Sequence, residues 1–250
     1  MPRLPGKVEA TVDRFMPDRR QALRLLVGAG IALTNSSRAF GSQSAHSVGV
    51  AAPQTPDEVL RLLMAGNERF VEKKLRHPHE SEAWQNTLTK EQHPVATILG
   101  CSDSRVATEI VFDQGLGDLF VIRVAGNVVD HDVSGSVEYS VLHLHTPLVM
   151  VMGHEGCGAV TAAVQERLNG GKDVKEIQSL IDQIEPALAS VDRKLSVEDQ
   201  VRAGVEANVL QSTTILSALP ELAKSIQAKT LKIIPAVYEL QTGRVRLLKV

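Results

Sequence analysis

The sequence predicts an α/β fold built on a mixed, mainly parallel β-sheet flanked by helices, and three observations carry that prediction. The apolar runs at 95–99, 119–124 and 148–152 have strand length and do not alternate with polar residues, the pattern of strands buried on both faces. The segments between and after them place their apolar residues at helical spacing. Two of the runs end directly in short, glycine-flanked segments rich in metal-ligating residues, where ligand sites form in sheets of this kind.

Taken in order, the first fifty residues differ from the rest. Asp18, Arg19 and Arg20 precede a short apolar stretch at 25–33, followed by small and polar residues with Ala39, Phe40 and Gly41 as a cleavage site. The stretch is too short to span a bilayer, and a basic start, short apolar core and small-residue end form the layout of a secretory signal. The paired arginines point to the twin-arginine export route. Residues 1–41 are therefore expected to be a signal, 42–55 a linker and 56–250 the working domain, with a periplasmic location. The alternative is a mildly amphipathic helix on a protein that is not exported. No other stretch predicts a membrane span.

Pro56, Asp57 and Glu58 open a helix whose apolar residues include Val59, Leu60, Leu62, Leu63, Phe70 and Val71. Residues 77–90 read as polar and irregular. Helices are predicted over 134–145, 159–168, 174–188 and 197–218, and a strand pair at 231–238 and 245–250 around Thr242 and Gly243. The net charge of −2 and the lack of a long basic run argue against nucleic acid as a partner.

The chain has two cysteines. One lies in Gly100-Cys101-Ser102-Asp103-Ser104-Arg105 and the other in Gly153-His154-Glu155-Gly156-Cys157-Gly158. Cysteine and histidine are zinc's preferred ligands, and Asp103 offers an oxygen. A disulfide or two buried thiols is the alternative, but His154 three residues before Cys157 favours the metal. His77, His79 and His93 form a looser group that reads as solvated loop histidines.

These segments, with residues 120–127 (Phe-Val-Ile-Arg-Val-Ala-Gly-Asn) and 236–243 (Ala-Val-Tyr-Glu-Leu-Gln-Thr-Gly), resemble the β-class carbonic anhydrases over residues 56 to 250. The resemblance implies one Zn2+ per subunit, held by Cys101, His154 and Cys157. The fourth position goes to water in the active state, or to Asp103 in a closed state. It implies that Asp103 pairs with Arg105 when water is bound, and that zinc-bound hydroxide attacks carbon dioxide to give bicarbonate. By spacing, Gln92 resembles the substrate-binding glutamine, Phe120, Val124 and Tyr139 the apolar pocket wall, and the Gly158 N–H a donor to bicarbonate. An N-terminal helical arm and a homodimer or higher homo-oligomer are implied too, with the glutamine and aromatic residues reaching in from the other subunit. Ala159 departs from the family, where many members have a second glycine.

The chemistry suits these residue types. Hydration of carbon dioxide needs a nucleophile stronger than neutral water, which zinc supplies by acidifying bound water. Two thiolates cancel the ion's charge where three imidazoles leave it intact, so the rate is expected to rise toward alkaline pH. The planar Arg105 guanidinium can grip the Asp103 carboxylate through two hydrogen bonds. Two rival readings keep the zinc site: a hydrolase acting on carbonyl sulfide or carbon disulfide, and a non-catalytic domain that binds zinc or bicarbonate.

Overall fold

The computed structural model describes residues 55–249, so the expected signal and all of the linker except Thr55 lie outside the described residues. Helix α1 (Pro56–Val71) starts where the sequence predicts. Thr55 caps it, accepting from Glu58 N–H while Glu58 reaches back to the Thr55 N–H, a reciprocal capping box that satisfies two unpaired donors. The 77–90 region is less irregular than expected, because Ser81 caps a short helix, α2 (Glu82–Thr87), which buries none of its residues. His79 is not a solvated loop histidine: it bonds Asp118 at 2.8 Å and stacks on Trp84, ring centroids 3.8 Å apart.

Strand β1 (Ala96–Gly100) leads through α3 (Thr108–Val111) to β2 (Leu119–Arg123). Helix α4 (His131–Leu142), capped by Asp130, leads to β3 (Leu148–His154). Helix α5 (Gly158–Asn169) follows, then α6 (Lys175–Ile184), which Pro186 ends by turning residues 185–190 into a 3₁₀ helix. The predicted helix over 174–188 is thus two pieces, since proline lacks the N–H an α-helix interior needs. Helices α7 (Val197–Ala218) and α8 (Pro220–Gln227) return the chain to β4 (Lys232–Tyr238) and β5 (Val245–Leu247).

The sheet order is β2-β1-β3-β4-β5, with β2, β1, β3 and β4 parallel and β5 antiparallel. Every residue of β1 and β3 is buried, as their unbroken apolar runs require. Leu99, Val149, Val151 and Val237 face a core shared with α4 to α8, while Ile98, Met150, Met152 and Ala236 face one shared with α1 and α3. Burying such side chains contributes about 1.5–3 kcal/mol each. Gly66 lets α1 approach closely: a Cβ there would lie 1.8 Å from the Phe112 carbonyl oxygen. Asn67, beside it, is buried and fully used, donating to the Val111 and Gly243 carbonyls and accepting from Val245 N–H. Among the described residues no helix is long and apolar enough to cross a membrane.

The strand order places a topological switch point between β1 and β3. The connection leaving β1 runs to one side of the sheet and the one leaving β3 to the other, so a crevice opens between their carboxyl ends.

Candidate metal centre

Cys101 is the first residue after β1, His154 the last of β3, and Cys157 the N-cap of α5. All three are buried, and their ligand atoms lie within 4.8 Å of one another. The two sulfurs are 4.0 Å apart; thiolates sharing one tetrahedral zinc at about 2.3 Å stand about 3.8 Å apart. His154 bonds the Glu155 carbonyl through Nδ1 at 2.9 Å. That contact fixes the ring and leaves Nε2 buried with no hydrogen-bond partner. A fully buried imidazole nitrogen without a partner, facing two thiols, fits the third ligand of a metal and is costly otherwise.

Electrostatics agree with a donor set built for a cation. The two thiols are shifted in opposite directions: the hydrogen bond from Cys157 lowers Cys101 strongly, and the same contact, with burial, pushes Cys157 up. Burial opposes a charge on His154, yet the negative Cys101 beside it outweighs burial and raises its pKa.

Asp103 is turned away from the cluster toward Arg105. Arg105 Nε and Nη2 donate to its two carboxylate oxygens at 2.9 and 2.7 Å, and the Arg105 N–H adds a third bond at 2.9 Å. This fork holds the Asp103 carboxyl well below the usual carboxylate range. Its Oδ2 remains 3.7 Å from His154 Nε2, at the edge of the cluster. Asp103 is therefore paired with Arg105, the arrangement the resemblance links to the open state of the site.

Two further groups hold this loop, and neither stands out in the sequence. Arg123, the last residue of β2, donates through Nε to the Cys101 carbonyl at 2.9 Å and through Nη2 to the Asp103 carbonyl at 2.6 Å. Gly126 N–H donates to Cys101 Sγ at 3.3 Å. Arg123 sits in the 120–127 segment that carries the resemblance, but its role depends on strand pairing that puts Gly100 beside it.

The remaining expected residues divide. Gly158 is the first residue of α5, so its N–H is one of the helix's unbonded donors beside Cys157. Val124 donates its N–H to the Gly100 carbonyl, next to the cluster. Gln92 is exposed and precedes β1, whereas Cys101 follows it, so a strand of roughly 16 Å separates them within one chain. Phe120 pairs in register with Thr97, four residues before Cys101, and stacks obliquely on Tyr139 at 6.2 Å. Tyr139 is 48% exposed. The fold brings Val124 and Gly158 to the cluster and leaves Gln92, Phe120 and Tyr139 apart from it in the single chain.

Comparison with known proteins agrees with this geometry. The family model described as "Carbonic anhydrase" matches residues 96–245. The chain is 39% identical over 191 residues to carbonic anhydrase 2 of Mycobacterium tuberculosis, covering 76% of this chain and 91% of that one. Among solved structures, it resembles a β-carbonic anhydrase of Aspergillus fumigatus at 26% identity, with a TM-score of 0.62 over 76% of this chain and 90% of that one. It also shares its fold with a tetrameric β-carbonic anhydrase of Sordaria macrospora at 22% identity, with a TM-score of 0.60 over 76% and 97% of the two chains.

Proposed function

We infer the function from one premise: the chain belongs to the β-class carbonic anhydrase family. It is a carbonate dehydratase, interconverting carbon dioxide and bicarbonate. The observation that carries the reading is the orphaned His154 Nε2 facing two thiols, with the Asp103–Arg105 fork at the edge of the cluster.

In this reading Cys101, His154 and Cys157 hold zinc, one ion per subunit, and Asp103 is kept off it by Arg105. The ion, when bound, supplies an activated hydroxide nucleophile at near-neutral pH. The chain's own residues supply orientation and a dry pocket. Asp103, kept ionised by its fork, accepts a hydrogen bond from the nucleophile and aims it, since an ionised carboxylate is an acceptor only. Arg105 spends its guanidinium on Asp103 and so keeps that acceptor in place. The Gly158 N–H donates to the developing bicarbonate oxygen, a role suited to a helix N-terminus. Carbon dioxide offers little to grip, so Val124 and, from a second copy of the chain, Phe120 and Tyr139 form an apolar wall, with Gln92 of that copy as the polar donor.

A homodimer or higher homo-oligomer is part of the proposal, supported by the exposed position of Tyr139 and by the tetrameric relative. Export to the periplasm by the twin-arginine route is also proposed, on the sequence of residues 1–41 alone. An epitope-tagged chain with Arg19 and Arg20 both changed to Lys accumulates in the cytoplasm if that reading holds, and still fractionates with the periplasm if it does not.

The test of function is stopped-flow hydration of carbon dioxide by the zinc-loaded protein at pH 7 and pH 9, with Asp103→Ala alongside. The expected result is rapid hydration, faster at pH 9, and a loss of at least about 10²-fold in the variant. One zinc per chain without hydration at either pH sinks the reading.

A further inference from the structure

Two side chains of α7 hold the turn whose N–H faces Cys101. Asn208 Nδ2 donates to the Gly126 carbonyl at 2.7 Å, and Ser212 Oγ donates to the Asn127 carbonyl at 3.1 Å. They are one helical turn apart, hence on one stripe of the helix, and both are buried. The carbonyls they hold belong to the 3₁₀ turn at 125–127, where Gly126 (φ 72°) and Asn127 (φ 43°) are both left-handed. Two consecutive left-handed residues are unfavourable for an L-chain, and more so when the second carries a Cβ. The α7 hydrogen bonds hold the turn in that state.

The consequence lies on the other side of the turn. Holding the Gly126 carbonyl fixes the following peptide, and φ and ψ of Gly126 (72° and 11°) relate that peptide to the preceding one, whose N–H points at Cys101 Sγ from 3.3 Å. The space is fitted to glycine: a Cβ at 126 would lie 2.8 Å from Ile184 Cδ1 and 3.2 Å from the Ala159 methyl. Asn208 Oδ1 is buried without a partner, so its amide is kept for the single bond it makes. A leucine of similar volume would avoid that cost.

We propose that Asn208 and Ser212 are positioning residues that set how strongly Cys101 donates to a bound metal, by keeping the Gly126 N–H hydrogen-bonded to its sulfur. An N–H···S bond withdraws charge from the thiolate, and partners of this kind tune the metal they surround. With two thiolates cancelling a divalent ion's charge, the withdrawal returns part of the ion's Lewis acidity. The inference rests on the reading of Cys101, His154 and Cys157 as metal ligands.

The test is reconstitution of the full chain with Co2+, comparing the unsubstituted protein with Asn208→Leu and Ser212→Ala. The readouts are metal stoichiometry, the energy of the sulfur-to-cobalt charge-transfer band, and cobalt affinity by chelator competition. The expected result is one cobalt per chain throughout and a band displaced to lower energy in both variants, with cobalt affinity not weakened, since the sulfur regains the charge that the N–H withdrew. A purely structural role lowers the melting temperature and leaves the band where it was; that outcome overturns the proposal. Should Asn208→Leu fail to fold, Ser212→Ala decides in the same sense. Absence of bound cobalt in the unsubstituted protein defeats the metal reading and this inference together, whereas bound cobalt with an unmoved band defeats this one alone.

Discussion

Three hydrogen bonds from one arginine decide what Asp103 does. With Arg105 Nε, Nη2 and N–H all engaged, the carboxylate stays ionised throughout the neutral range and stays off the cysteine–histidine cluster. Lysine at 105 keeps the charge but offers a point donor in place of a planar fork. Arg105→Lys is therefore expected to retain zinc at one per chain while hydration falls on the order of tenfold or more, read by stopped flow and metal analysis together. Metal loading itself should depend on pH, with a sign set by the ligands. The contact with Cys101 and burial push Cys157 up, and the negative Cys101 raises His154 against the burial that opposes its charge, so metal binding has to displace protons. Zinc affinity by chelator competition is expected to fall from pH 8 to pH 6 by about tenfold per pH unit for each proton released. A flat profile would mean that the thiols are not ligands. The cysteine–histidine pair is legible in the sequence because its spacing is local, three residues within one turn. Arg123 and Gly126 are not legible, because their partners lie 22 and 25 residues away and meet them only through strand pairing.

At the scale of elements, the strands are the most legible, since four of the five are parallel and the inner strands β1 and β3 are buried along their whole length in near-continuous apolar runs. Helix α8 lies outside the predicted helices, the last of which ends at 218, although it has its own signal in Pro220 at the first position with Leu222 and Ile226 one turn apart. Helix α1 shows what periodicity leaves out. Its apolar face predicts the helix but not its anchor, the buried polar Asn67 that ties α1 to the α3 end and to the β4–β5 hairpin. Asn67→Ala leaves two carbonyls and one N–H buried and unpaired, at a cost of about 3 kcal/mol. For a domain of this size that lowers the melting temperature by roughly 6–12 °C, measurable by calorimetry, with zinc content unchanged because the metal loops are not touched. A shift under about 2 °C would mean that water replaces the lost bonds.

At the scale of the whole molecule, the question is where the substrate-binding half of the site comes from. Within one chain, Gln92 and Cys101 stand at opposite ends of β1, and Phe120 and Tyr139 lie along the β2 edge. Tyr139, which meets Phe120 of this edge strand, is 48% exposed, so the edge leaves apolar surface uncovered. A two-fold dimer across that edge would carry Gln92 of each copy toward the metal of the other. Co-expression of differently tagged Asp103→Ala and Gln92→Ala chains separates the possibilities. Each variant alone is expected to be impaired, Asp103→Ala severely. If the site is shared between copies, a mixed dimer holds one site with both defects and one with neither, so the purified heterodimer recovers about half the unsubstituted activity per dimer. If Gln92 serves its own chain, both sites of the mixed dimer carry one defect and activity stays at the average of the two variants. Dilution of the heterodimer then provides the control: recovered activity that depends on the shared site must fall as the copies dissociate, whereas a site complete within one chain keeps its rate per subunit.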